Sequence, residues 1–365
     1  MKKKNLIFFL AEFVRGGAGN SILSLCKNLK KKDFNLNILC LGKCEYRREF
    51  KGLATIHEIP CKRTLFAQNY IKKIITKISS NQLNTIFISN LFHANVLTAL
   101  FQKKRKKLRF IFTERTALKE LFIYFGILDF IKKMIIKLLI KYTYKKPDLI
   151  IANSKKTAKD LRDYTNCKTK FISPGTFNGI KKIKTINRDI KNIIWIGRLS
   201  EEKGIEHLIS SLKDINKKEY KLKIIGDGPL KNKINKMILE NDLFKNIDML
   251  GFKFDIFDDL KNSDLLINTS YFEGFPNVVI EALSCSVPVL CSRSGGGISE
   301  ILEGNKHGDL FDLKNAKDLN LKIKNFLNNS TRLKKKAINS HRSLVRFDKI
   351  KSAKNYKKVF DSLKF

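Results

Sequence analysis

Acidic side chains are scarce. Against 73 Lys and Arg stand 34 Asp and Glu in 365 residues, a formal charge of +39. Such a surplus favours anionic partners through its long-range field and carries no information about fold. Charge alone leaves three readings open: lysines spread over solvated faces, a surface for anionic lipid, or nucleic acid. Helix-turn-helix signals, zinc-finger spacing and aromatic platforms between the lysines are missing, which argues against nucleic acid. There are seven cysteines, an odd number with no CxxC pair. A disulfide framework does not fit that pattern in so long a chain, and a reducing cytoplasm does. No metal-ligand spacing joins the cysteines to the five histidines, so no metal site is expected. No uncharged apolar stretch reaches the ~18 residues of a spanning helix. The opening MKKKNLIFFLAEF has a basic start, but its apolar run, Leu6 to Ala11, stops at Glu12. A secretory core needs about 7–15 residues, so a buried first strand leading into a glycine loop is expected instead. No repeat of solenoid length occurs.

What is present is enough to bury real cores. Hydrophobic residues make up 43% and aromatics 10%, and the length suggests two domains. Short apolar runs alternate with longer amphipathic stretches. Leu6–Leu10, Leu36–Leu41, Ile86–Ser89, Arg109–Thr113 and Leu149–Ala152 read as buried strands, with helices at Asn20–Lys31 and Ala94–Gln102 among those between. This alternation is the signature of βαβ units and a parallel sheet. The segment SPGTFNGI, Ser173–Ile180, followed by the polar KKIKTINRD, reads as a linker. The pattern then restarts with strands at Ile193–Ile196, Leu222–Ile225, Asp248–Leu250, Leu265–Asn268 and Val287–Cys291, and Leu313–Phe365 reads as helical and basic. The fold class expected is α/β: two Rossmann-like, doubly wound domains facing a cleft. Residues 1–178 form the first, 179–345 the second, and 346–365 a helix returning to the first.

Four features follow expected strands and can carry chemistry. In IIWIGRLSEEKG, the strand ends at Gly197, and Arg198 and Lys203 follow. Two cations there suit a diphosphate, Arg as a two-pronged clamp and Lys as a point charge. Alternatively they are solvated charges on a turn. In IIGDGPL, Gly226 and Gly228 let backbone amides approach a ligand, although a lone GxG equally makes an ordinary turn. In YFEGFPNVVIEALSC, Pro276 falls at a helix start, Asn277–Ser284 reads as the helix, and its positive end is an anion site. Two carboxylates beside an anion site, Glu273 in the loop and Glu281 in the helix, either grip hydroxyls or are solvated charges on a surface turn. A diphosphate flanked by a ribose and a hexose presents that mixture. Gly16-Gly17-Ala18-Gly19 could cradle a phosphate, but no acid stands where a nicotinamide dinucleotide would need one.

These stretches, with PDLIIANSKK and HGDLF, resemble the family-4 retaining glycosyltransferases of the GT-B fold. The resemblance is close in the second half and loose in the first. It implies that Arg198 and Lys203 hold the donor diphosphate, that Glu281 binds the ribose, and that Glu273 contacts the donor sugar. Gly17 would lie near the phosphates, Gly197, Gly226 and Gly228 would line the donor site, and Gly274 and Phe275 would offer backbone contacts. It implies no metal and no cofactor, a UDP-sugar donor in preference to a GDP-sugar, and retention at the anomeric carbon. The first half departs from the family. Gly19 stands where many relatives have Glu, and Asn90 replaces the first of two histidines. That leaves His93 as the sugar-contacting candidate, with Glu114 and Arg115 as weaker ones.

Leu118–Lys146 is aliphatic and aromatic with late lysines. It reads either as a basic amphipathic helix lying in a membrane interface or as a core helix. The function expected is transfer of a hexose from a nucleotide-diphosphate sugar to a polysaccharide or lipid-linked oligosaccharide, in cell-surface glycan synthesis. Its place would be the cytoplasm, peripheral on an anionic inner membrane face. The alternatives are a GT-B-shaped nucleotide-sugar epimerase and, behind it, a basic nucleic-acid-binding protein.

Overall fold

The computed structural model describes residues 3–61, 64–103, 105–181 and 190–365. The polar stretch 182–189, read above as part of the linker, lies outside the described residues. The chain forms two compact units, Met1–Thr176 with Phe347–Phe365, and Phe177–Arg346.

The first unit is built on a parallel sheet. Its strands are β1 (Lys4–Phe9), β2 (Phe34–Leu41), β3 (Thr55–Ile59), β4 (Thr85–Asn90), β5 (Leu108–Glu114), β6 (Leu149–Ala152) and β7 (Thr169–Phe171). They lie in the order β3-β2-β1-β4-β5-β6-β7. Register is set by apolar pairs such as Leu6 with Leu36 on one side and Ile86 on the other. Alternate residues of β1 feed opposite faces. Leu6 and Phe8 join the helices Gly17–Asn28 and Lys349–Ser362, whereas Ile7 and Phe9 join Gln68–Ser79 and Phe92–Phe101. Apolar residues on both faces are what a covered parallel strand requires. The C-terminal helix starts at Asp348, whose carboxylate accepts hydrogen bonds from the Ile350 and Lys351 amides. It buries Tyr356, Val359 and Phe360, and the Phe360 carbonyl accepts a hydrogen bond from Lys4 Nζ at 2.7 Å.

The second unit repeats the plan with β8 (Lys191–Ile196), β9 (Tyr220–Ile225), β10 (Ile247–Gly251), β11 (Leu265–Asn268), β12 (Val289–Ser292) and β13 (Asp309–Phe311), in the order β10-β9-β8-β11-β12-β13. Strand order reverses at β1/β4 in the first sheet and at β8/β11 in the second. These are the switch points where loops diverge and ligands bind in such sheets.

Several expected elements shift for local reasons. The first helix runs Gly17–Asn28, three residues before the expected start, because the glycines form its opening turn. Leu118–Lys146 is not one helix: a single 3-10 turn at Leu118–Phe122 is followed by Gly126 at φ 114°, and the α-helix begins at Ile127. The strand expected at Val287–Cys291 runs Val289–Ser292, because Ser286 is left-handed at φ 54° and Pro288 has no amide to pair. Pro276 precedes its helix rather than entering it. The edge strands β3, β7 and β13 are short or carry polar residues, and no apolar run announces them.

Candidate functional site

In the second unit the candidate residues converge on the carboxyl ends of three neighbouring strands, β9, β8 and β11. Close backbone approach explains the glycines. Gly226 sits at φ 148°, and a Cβ there would lie 1.8 Å from the Gly197 carbonyl oxygen. A Cβ on Gly228 would lie 2.5 Å from the Leu199 carbonyl oxygen. The Leu199 amide donates to the Asp227 carbonyl at 3.0 Å, so the two loops are stitched together. Gly226→Ala is therefore expected to cost about 2–4 kcal/mol of stability, through strain and overlap with backbone that cannot swing aside. A urea titration of the second unit's transition measures it.

A second lock holds the loop after β8 against the loop after β11. The single tryptophan, Trp195, is buried and donates to Thr269 Oγ1 at 3.0 Å, and Thr269 in turn donates to the Lys203 carbonyl at 2.7 Å. The Tyr271 amide donates to the Glu202 carbonyl at 2.9 Å. Gly204, at φ 57°, leaves no room for a Cβ beside the Thr269 carbonyl. Lys203 is thus aimed by backbone, and its Nζ meets Glu273 Oε1 at 2.7 Å. The same carboxylate oxygen accepts from Ser270 Oγ at 2.6 Å and from Asn268 Nδ2 at 3.5 Å. Behind it, the glycine-rich loop after β12 closes in. The Gly297 amide donates to Gly274 O at 2.8 Å, and a Cβ on Gly296 would lie 1.7 Å from the Glu273 carbonyl oxygen.

Arg198 is exposed, and no ion pair to it occurs among the described residues. Glu281, on the helix Asn277–Ser284, is partly buried. Burial first, and then the nearby Asp255 carboxylate, push its carboxyl up to about 7. No side-chain hydrogen bond to it occurs among the described residues. A cation with no counter-ion and a partly buried acid with no donor are what a bound anion and a pair of hydroxyls would complete. Phe275 is buried against Gly297.

In the first unit, Gly17 and His93 both stand beside the β1/β4 switch point. Gly17 opens its helix, while the Gly16 amide is occupied by Tyr46 Oη at 2.9 Å. Gly19 packs on the ring of Tyr46, where a Cβ would lie 2.6 Å from Cε2, so its smallness serves packing. His93 is exposed at the second residue of the helix Phe92–Phe101, its ring pushed below the usual histidine range by desolvation and then by Lys132. Just before it, Leu91 has φ 73° and ψ 150°, a region that glycine alone adopts freely. Asn90 is a bracket rather than a contact. Its Nδ2 donates to the Phe9 carbonyl at 3.0 Å, and its Oδ1 accepts from Thr113 and from Arg115 Nε.

Glu114 is a correction. It is fully buried and turned away from the strand end, where Oε1 accepts from Asn95 Nδ2 at 2.5 Å and from the Tyr144 hydroxyl. Desolvation raises its carboxyl to about 8, so it belongs to the core. Asn268, Ser270, Trp195 and Asp255 were not singled out from the sequence. All but Asp255 owe their place to contacts 3 to 74 residues apart in the chain, and Ser270, three residues from Glu273, is the one a local pattern could have flagged.

Residues 15–176 match the family described as Glycosyltransferase Family 4, and residues 177–343 match Glycosyl transferases group 1. The chain belongs to the family-4 glycosyltransferases of the GT-B fold. It is 37% identical over 185 residues to the uncharacterized glycosyltransferase MJ1059 of Methanocaldococcus jannaschii, covering 46% of this chain and 45% of that protein. It is 30% identical over 226 residues to a 4-alpha-N-acetylgalactosaminyltransferase of Campylobacter jejuni, covering 60% of this chain and 61% of that protein. That enzyme's name gives a diphospho-undecaprenol-linked sugar as acceptor. The chain thus spans about half to three fifths of the length of these relatives. In fold it is similar to HepE of Anabaena, solved with UDP and glucose, at a TM-score of 0.81 and 17% identity, covering 98% of this chain and 100% of that one.

Proposed function

We propose that this chain is a retaining hexosyltransferase. It moves a hexose from a nucleotide-diphosphate sugar, a UDP-sugar in preference to a GDP-sugar, to a polysaccharide or lipid-linked oligosaccharide in cell-surface glycan synthesis. The observation that carries the reading is the strand-end cluster of the second unit: Lys203 fixed by the Trp195–Thr269 lock, with Arg198 lacking a counter-ion and Glu281 lacking a donor among the described residues. Arg198 and Lys203 meet the charge that grows on the diphosphate as the sugar departs, and the positive end of the helix Asn277–Ser284 adds to them. This reading needs no metal. Glu281 accepts from the ribose hydroxyls. Glu273, already held by Lys203 and Ser270, is oriented for the sugar, and His93 and Gly17 are the first unit's own candidates for sugar and phosphate contact. UDP in the HepE structure and the lipid-linked acceptor in the Campylobacter enzyme's name support the choice of donor and acceptor. The acceptor reading places the protein at the inner, anionic membrane face.

The test is calorimetric titration of UDP-glucose. Losing two charged hydrogen bonds in Glu281→Ala should weaken binding by about 1.5–3 kcal/mol, or roughly 10- to 150-fold. The carboxylate is the accepting form, so native affinity should rise as pH climbs through about 7, and the Ala variant should lack that rise. Equal affinity of the two proteins across this range would sink the assignment of Glu281. Incubating donor without acceptor separates transfer from epimerisation, since an epimerase turns over alone.

A further inference from the structure

The helix Ile127–Thr143 has two apolar faces, and only one of them is used. Ile136, Ile140 and Thr143 point inward. The outward face carries Ile127, Leu128, Ile131, Ile135, Leu138 and Tyr142, each 48–80% exposed. Their spacing of three, four and seven places them on one stripe about 25 Å long, continuous where a soluble surface would alternate charge. The edges of the stripe are cationic. At 100° per residue Lys132 falls on one side and Lys141 on the other, both exposed and neither in an ion pair among the described residues. The helix's one carboxylate, Asp129, lies on the inner side and is bound by Lys133 at 2.7 Å. Lys137, on the flank nearer the buried side, lies over the half-exposed rings of Phe122 and Tyr124, with Nζ 4.8 Å and 5.5 Å from the ring centres.

We propose that this outward face is a docking surface that lays the first unit on an anionic lipid bilayer, the helix resting in the plane of the headgroups. A greasy stripe rimmed by lysine is what an interfacial helix presents. Charge chooses between the two candidate occupants. A second copy would bring lysine edges against lysine edges, on a chain carrying +39, whereas an anionic bilayer answers them. No described helix is long and apolar enough to cross a membrane, so the contact is lateral. This deepens the membrane part of the proposed function and does not depend on the transfer chemistry.

Full-length protein is co-sedimented with vesicles of phosphatidylglycerol plus phosphatidylcholine, and with phosphatidylcholine alone. Binding should require the anionic lipid and fall at high salt. The stripe variant Ile131→Ser/Leu138→Ser and the edge variant Lys132→Glu/Lys141→Glu should each lower the vesicle partition coefficient by about tenfold or more. Both should keep the native melting temperature, and the stripe variant, which leaves Lys132 and its field on His93 untouched, should keep the native UDP-glucose affinity, so failure here and failure of the donor site are separate readouts. Native partitioning in both variants would overturn the proposal, as would native protein that ignores anionic vesicles. A stripe variant that turns a dimer into a monomer without losing vesicle binding would overturn it too, by giving the face to a second copy.

Discussion

Lys203→Ala and Arg198→Ala should each lower kcat by about 10²–10³-fold, the usual loss when one preorganised group is removed from a developing oxyanion. The two substitutions should differ in how they do so. Arg198 is exposed and has no counter-ion among the described residues, so its loss removes charge and leaves the surroundings as they are. Lys203 also anchors Glu273, whose carboxylate is mostly buried and keeps only Ser270 and Asn268 when the ammonium is gone. Lys203→Ala should therefore also raise KM for the sugar donor, while UDP alone, which has no hexose for Glu273 to hold, loses less affinity than UDP-glucose. Steady-state kinetics of each variant, with product release followed by UDP detection, checks both. Native kcat in the two variants would remove the leaving-group role from this cluster.

The second large effect concerns stability. Glu114 ordinarily titrates near 4.5 and is raised to about 8 by burial. Between those values the folded protein holds a proton that the unfolded chain has released. Stability is then greatest on the acid side and falls as pH rises toward 8, by an amount on the order of 4 kcal/mol. Tyr144, whose hydroxyl donates to the same carboxylate, is itself held well above the usual tyrosine range by burial and by Glu114. Glu114→Gln reproduces the neutral acid: the amide oxygen can still accept from Tyr144 and Asn95. The variant should match the native protein in acid and exceed it above about pH 8, its melting temperature declining less than the native one, with the decline due to Glu281 retained in both. Parallel declines in the two proteins would mean that Glu114 is ionised throughout.

Glu114 also shows where reading the sequence stops. It ends β5, the strand next to the β1/β4 switch point, where a ligand group is expected, and nothing in FTERTAL says that its side chain turns into the core. Its partners Asn95 and Tyr144 are 19 and 30 residues away. The second unit was easier to read because each of its loops is short, follows one strand, and announces its chemistry locally, as in GRLSEEK or GDGP. The interior strands were plain for a similar reason, since burial on both faces leaves an unbroken apolar run. Edge strands such as Thr55–Ile59, with His57 and Glu58 in the middle, leave no such mark. Gly19 stands where many relatives have Glu, and in the structure it makes room for Tyr46, a ring 27 residues on; no local pattern links the two.

The first core is closed by Ala353, Tyr356, Val359 and Phe360, which follow the whole second unit in the chain. On the ribosome, the earlier-made sheet must wait with one greasy side open while some 170 residues of another fold emerge and settle, a window in which chaperones have something to hold. Translation arrested anywhere inside the second unit would leave both units unfinished, the first without its closing helix, and ready for proteolysis.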